Sequence, residues 1–185
     1  MQYLSKGKRG IVYLTKDDTG VVVVKKERSE SKALRVLHNE AYWLKILNKY
    51  KIGPRFIRFD DGLVMEYIKG ELFVDWHKKH KGMDVKNAVR DIFLQCRTMD
   101  KIGVNKLEMN YPVKHIIMRK NKPIMIDFER CKRTLRPKNV TQFCQFLLSI
   151  GFKVDMNILK ELSQKYKRDY GEDAFNRILG LFLGG

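Results

Sequence analysis

The sequence predicts an α+β fold: a small antiparallel sheet with one helix, followed by a mostly helical part that carries a single β-hairpin. Three observations point to it. Short β-rich runs bounded by Asp- and Gly-containing turns fill most of the chain before Gly70. One segment among them, roughly 32–49, has apolar residues at helical spacing instead. After Gly70 helical spacing dominates, except in PVKHIIMRKNKPIMIDFER, residues 112–130, where Ile116-Ile117-Met118 and Ile124-Met125-Ile126 flank a polar turn.

Taken in order, Leu4 to Tyr13 reads as strand, glycine-containing turn and strand. Ile11–Thr15 and Val21–Lys26 are the next pair, joined by a turn whose Asp and Gly favour tight reversal. In the 32–49 helix, Leu37, Ala41, Leu44, Ile46 and Leu47 supply the apolar spacing, and Gly53-Pro54 ends it. Phe56–Phe59 and Leu63–Tyr67 form a further hairpin about Asp60-Asp61-Gly62. Helices are expected near 73–80, 84–101, 140–150, 156–169 and 173–182, with Asn139 as an N-cap. The 116–126 hairpin is the only strand pair expected in this half. The division is therefore a first lobe over 1–68 and a reduced second lobe over 69–185.

Hydrophobic content of 44% and charged content of 32% suit a globular chain rather than a disordered one. No apolar run approaches membrane-spanning length and MQYLSKGKRG has no signal-peptide core, so a cytoplasmic location with no membrane partner is expected. Cys96, Cys131 and Cys144 are odd in number and widely spaced, which suits free thiols. With 38 Lys and Arg against 21 Asp and Glu, the net charge of +17 suggests a polyanion, whether nucleic acid such as RNA, phosphates or an acidic protein, with a solvated basic surface as the alternative. Oligomeric state is not legible in the sequence.

Several residues stand out for their chemistry. Gly7 and Gly10 flank Lys8-Arg9 in a turn where backbone can approach a phosphate, although an ordinary hairpin needs the same residues. The run Val21-Val22-Val23-Val24-Lys25-Lys26 ends a buried strand in charge, and an inward lysine there requires an anion. Glu40 supplies one, because Val36, Glu40, Trp43 and Leu47 share a helical stripe; alternatively Glu40 reaches solvent from the stripe edge. Lys25 is favoured as the inward partner and Lys26 is the alternative. Folding the 116–126 hairpin about residue 121 brings His115 close to Asp127. His38, His77 and His80 have no ligand-like company, and Trp43 and Trp76 suit a core better than a base-stacking platform.

This ordered set resembles the protein kinase fold. VVVVK looks like the strand ending in the ATP lysine, NEAYWLKILN like the helix carrying its glutamate partner, VMEYIKG like the hinge, and MIDFER like the Asp-Phe-Gly segment. The match covers roughly residues 4 to 130. With no long activation segment and no Ala-Pro-Glu, and with RCKRTLRPK leading almost directly to a helix, the chain is similar to small atypical kinases. These are the RIO family, the small kinase of the KEOPS complex, and short archaeal serine/threonine kinases.

The resemblance implies ATP bound between two lobes with Mg²⁺ or Mn²⁺. It implies nucleotide contacts from Gly7, Gly10, Val12, Lys25 or Lys26, Glu40, Met65 as gatekeeper, and Asp127. The backbones of Glu66 and Ile68 would hydrogen-bond adenine. Asp127 would hold the metal.

The pattern also departs from the family. Counting back from His115, Asn110 stands where the catalytic aspartate would be, and His115 itself where the metal-binding asparagine would be. Glu129 replaces the glycine of Asp-Phe-Gly. Counted from Gly103, Glu108 takes the place of the catalytic aspartate instead, with a two-residue insertion before His115; an ordinary surface-loop glutamate is the alternative. Imidazole suits softer metals than Mg²⁺, so with His115 beside Asp127 Mn²⁺ could be tolerated; a single Mg²⁺ on Asp127, with His115 touching only phosphate, is the alternative. Arg130, Lys132, Arg133, Arg136 and Lys138 form a basic run that suits a triphosphate, a polyanionic substrate or plain solvated surface. Three functions are consistent with these residues: an atypical kinase with Lys25 and either Glu108 or Asn110 in catalytic roles, a pseudokinase scaffold, and an RNA-associated module.

Overall fold

The computed structural model describes residues 2–6, 10–27 and 34–184, and the chain divides into two compact units. The first comprises Met1–Gly70 together with Ile124–Cys131; the second comprises Glu71–Pro123 and Lys132–Gly185. The chain class is α+β, as the hydrophobic periods indicate. Among the described residues no helix is long and apolar enough to cross a membrane.

The first unit is built on a five-stranded antiparallel sheet of order β1-β2-β3-β5-β4. Its strands are β1 (Gln2–Lys6), β2 (Gly10–Asp17), β3 (Gly20–Glu27), β4 (Phe56–Phe59) and β5 (Leu63–Glu66), with helix α1 (Leu34–Asn48). At the β2–β3 turn the Asp17 carboxylate accepts from the Thr19 amide at 2.9 Å and from Arg58 at 2.7 Å. These bonds hold Asp17 down at about 2. Alternation along β3 puts Val22 and Val24 on one face with Val64, Tyr13 and Ile57. Val23 and Lys25 lie on the other, opposite Leu14, Val12 and Met65 in register. The buried stripe of α1 includes Leu37, Ala41, Trp43, Leu44 and Leu47.

The second unit packs helices α2 (Phe73–Lys79), α3 (Met83–Lys101), α4 (Asn139–Ser149), α5 (Met156–Asp169) and α6 (Glu172–Leu183) around aromatic rings. Phe93 of α3 meets Phe143 edge-on at 4.9 Å and Phe182 at 5.5 Å. Trp76 is a core residue, 3% exposed. All three cysteines are free thiols and buried.

Several short strands lie beyond the expected hairpin. Strand β6 (Glu71–Leu72) joins β8 (Ile116–Arg119) and β9 (Lys122–Met125) in a sheet of order β6-β8-β9, and β7 (Val104–Lys106) pairs with β10 (Cys131–Arg133). The expectation of a single strand pair is thereby corrected. Strands of two or three residues are too short to show a period of two, and β7 is buried at all three positions. The basic run is likewise not a plain lead-in, since its Lys132 and Arg133 lie in β10. The turn between β8 and β9 is Lys120-Asn121, both with positive φ, as a two-residue hairpin loop of the I′ kind demands.

Asn139 is not the N-cap of α4; it is the first helical residue, and Lys138 holds the cap position without a side-chain bond. The cap comes from Asp100 near the end of α3. One Asp100 oxygen accepts from the Asn139 amide at 2.9 Å and its side chain at 2.7 Å; the other accepts from Val140 N–H and the Tyr166 hydroxyl, both at 3.1 Å. Asn139 also donates to Val104 O at 2.7 Å and accepts from Lys106 N–H at 2.8 Å, so its whole amide is used inside the core. Burial pushes the Asp100 carboxyl up from 3.8 to about 6 despite these donors.

A carboxyl raised on folding binds its proton more tightly in the native state. Its contribution is therefore greatest below the unfolded value and falls by about 3 kcal/mol as pH rises to the folded one. Urea midpoints of the wild type measured against pH should carry this decline between about 4 and about 6. The Asp100→Asn chain should lack it and should be less stable by about 1–3 kcal/mol at low pH, because its amide NH₂ faces donors. Parallel pH profiles of the two chains would refute the assignment.

Candidate functional site

The site begins with the strand alternation just described. Because Lys25 sits on the Val23 face of β3, its ammonium reaches α1, where it donates to both Glu40 oxygens at 2.7 and 2.8 Å. Lys26 points the other way and pairs with Asp61 in the β4–β5 turn. The choice between the two lysines is thus decided for Lys25. Glu40 does not reach solvent: it is 1% exposed.

Asp127 lies beside this pair, its carboxylate 3.7 Å from the Lys25 ammonium. Burial lowers the Lys25 ammonium, but Glu40 and Asp127 outweigh it and hold the group above its usual range, so it stays charged. Asp127 has φ of 63°, a left-handed conformation that Asp tolerates better than most residues.

The chain following Asp127 is fixed to two adjacent residues of α1. The Phe128 amide donates to Glu40 at 3.4 Å. The Asn39 side chain donates to the carbonyls of Glu129 at 2.7 Å and Cys131 at 3.1 Å. The Phe128 ring is buried against Gly53, where a Cβ would stand 2.7 Å from the ring and 2.9 Å from Leu44. Gly53, with φ of 84°, therefore serves this seat as well as ending α1.

Glu129 adds a functional carboxylate that the sequence pattern shows only as a departure from glycine. Carboxylate oxygens of Glu40, Asp127 and Glu129 lie within 4.8 Å of one another, a grouping that could hold a divalent cation. The sequence signal was present, since a carboxylate two residues after Asp127 can share its surroundings, but it registered only as a missing glycine.

The other expected residues fall as follows. Val12 is opposite Lys25, and Met65 opposite Val23, on the Lys25 face of the sheet. Glu66 ends β5; its amide donates to Arg55 O at 2.9 Å and its carboxylate accepts from Arg55 N–H at 3.1 Å. Ile68 is buried. Gly10 opens β2, and a Cβ there would meet the Lys26 carbonyl at 2.8 Å, so close strand approach alone requires glycine. Gly7 lies outside the described residues. Glu108, Asn110 and His115 belong to the second unit and Asp127 to the first. Glu108 has φ of 78° and its carboxylate is 4.0 Å from His115 Nδ1, while Asn110 is exposed.

No protein-family model matches this chain, and a search of curated proteins gives no match.

Removing one partner of a buried ion pair leaves the other uncompensated. Lys25→Ala should lower stability by about 3–5 kcal/mol, because it also leaves Glu40 and Asp127 facing each other. Glu40→Ala should cost less, since Asp127 remains for the ammonium. Urea unfolding of both variants and of the double substitution checks the order; equal losses for the two single changes would contradict it.

Proposed function

We propose that this chain is an atypical, kinase-like protein that binds ATP together with a divalent cation. The observation that carries the reading is the Lys25 ammonium held on both Glu40 oxygens with Asp127 at 3.7 Å. A lysine kept charged and fixed in direction is what a nucleotide phosphate needs, and a carboxylate beside it is what a phosphate-bound cation needs. Glu129 adds a second carboxylate beside Asp127, and this pair of oxygen ligands suits Mg²⁺ or Mn²⁺, while both Glu40 oxygens stay on Lys25. The cation would neutralise charge on the phosphates. Lys25 orients them, and Glu40 keeps Lys25 in place.

Phosphoryl transfer extends the same proposal. The bond from the γ-phosphorus to the β–γ bridging oxygen breaks, a bond to a serine or threonine hydroxyl oxygen forms, ADP leaves, and the hydroxyl proton passes to a base or water. Glu108 is the carboxylate that the resemblance offers for that proton; Asn110 could orient a hydroxyl but not accept its proton. A second reading, nucleotide binding without turnover, is favoured by Asn110 and His115 standing where the family has its base and its metal-binding asparagine.

Calorimetric titration with ATP, with Mg²⁺ and Mn²⁺ tested separately, checks the proposal alongside Asp127→Asn. Asn tolerates the left-handed backbone, so the variant should stay folded while losing its charge. Metal-dependent ATP binding by the wild type that weakens about tenfold or more in Asp127→Asn is expected. Released ADP or phosphorylated protein in the same sample marks the kinase reading, and binding without either marks the pseudokinase. No ATP binding with either metal would sink both.

A further inference from the structure

The basic run leaves β10 and reaches α4 through a loop whose backbone is tied at four points. The Thr134 amide donates to Gly103 O at 2.9 Å, and the Arg136 amide donates to the Thr134 hydroxyl at 3.2 Å. The Pro137 carbonyl accepts from the Tyr170 hydroxyl at 3.2 Å, and the Lys138 amide donates to the Asn105 side chain at 2.7 Å. Gly103 precedes β7, Asn105 lies in β7 and Tyr170 ends α5, so three parts of the second unit hold this loop.

Its side chains face water. Lys132, Arg133, Leu135, Arg136 and Lys138 are all exposed. Among the described residues none of these four cationic side chains has an ion pair or a hydrogen bond. Other exposed lysines of the same unit differ: Lys79, Lys122 and Lys165 pair with Glu71, Asp91 and Asp173 in turn. Four like charges on one short, fixed loop repel one another, and an anionic partner relieves that repulsion. Leu135 is 96% exposed on a backbone that is not free to fold it away.

This combination fits a partner with several repeated anions and an apolar or flat surface between them. A nucleic acid has both, in its phosphates and in its sugar and base faces. Arginine adds geometry, because the guanidinium fork matches two phosphate oxygens. The rest of the chain favours a long polyanion over an acidic peptide. The net charge of +17 far exceeds what the loop carries. Lys101, two residues before Gly103, is exposed, and so are Lys167 and Arg168 just before Tyr170, with Asp169 the acidic exception. Positive charge thus continues past two of the loop's anchors. We propose that the β10–α4 loop grips the phosphodiester backbone of a nucleic acid, with Lys132, Arg133, Arg136 and Lys138 on phosphates and Leu135 against a sugar or base. The loop shares no residue with the Lys25–Glu40–Asp127 site, and the assignment does not require ATP binding there.

The test is fluorescence anisotropy of a labelled short oligouridylate titrated with the full chain over a salt series, without ATP. Three variants accompany the wild type: Arg133→Glu/Arg136→Glu, Leu135→Ser, and Lys153→Glu/Lys160→Glu, a charge-matched control at exposed lysines outside the loop. The loop pair should weaken binding about tenfold or more and reduce the slope of log K against log salt by about 1.4, the share of two lost phosphate contacts. Leu135→Ser should weaken binding about threefold with the slope unchanged, because it removes apolar contact and no charge. The control pair should lose far less than the loop pair. Four results would overturn the proposal: no binding by the wild type at low salt, equal losses in the loop and control pairs, no loss in Leu135→Ser, or polyglutamate of equal charge binding as tightly as the oligouridylate.

Discussion

The first unit depends on one buried ion pair. Glu40 is withdrawn from water and Lys25 largely so, which is costly for each ion unless partners replace the solvent. They are replaced here: the ammonium lies on both Glu40 oxygens and near Asp127, and one Glu40 oxygen also receives the Phe128 amide. The pair thus joins a strand, a helix and a segment 88 residues further along the chain than Glu40. Asn39, one position before Glu40, holds that segment at two more carbonyls. These bonds tie Phe128–Cys131 to α1 within the discontinuous unit of 1–70 with 124–131.

The second unit has a comparable centre of opposite character. Asp100 is a single buried carboxylate whose partners are neutral donors rather than an ammonium, so it gains hydrogen bonds but no compensating full charge. That difference explains why burial raises Asp100 while Lys25 stays charged. It also explains where α4 starts, because the amides of Asn139 and Val140 are aligned by an acceptor supplied from α3.

Much of this was legible in the sequence where local pattern decides structure. The α1 stripe containing Glu40 and the β3 run ending in lysine predict the ion pair from spacing alone. They could not choose between Lys25 and Lys26, because β3 is apolar on both faces; the choice depends on Asp61 and Glu40 waiting on opposite sides. The Asp100–Asn139 contact was illegible for a different reason. Its partners are 39 residues apart, and Asn139 before an apolar run looks like an N-cap whichever residue finally caps the helix. Strands β6, β7 and β10 lacked the length to show a period. Gly10 looked like a phosphate-binding glycine, yet the Lys26 carbonyl beside it is reason enough for the residue.

The charge balance of the site is at odds with that of the chain. A net charge of +17 draws polyanions toward the protein, while among the described residues carboxylates of Glu40, Asp127 and Glu129 gather beside Lys25. Long-range attraction is screened within about 10 Å at ordinary ionic strength, so at contact distance the local carboxylates govern. In the proposed nucleotide site a bare triphosphate would face these carboxylates, and Glu129, where the kinase pattern has glycine, adds one to them. A divalent cation reverses the local sign and turns Asp127 and Glu129 from repulsive neighbours into ligands. On the proposed reading, the residue that looks like a loss in the Asp-Phe-Gly pattern would make nucleotide binding depend more strongly on metal.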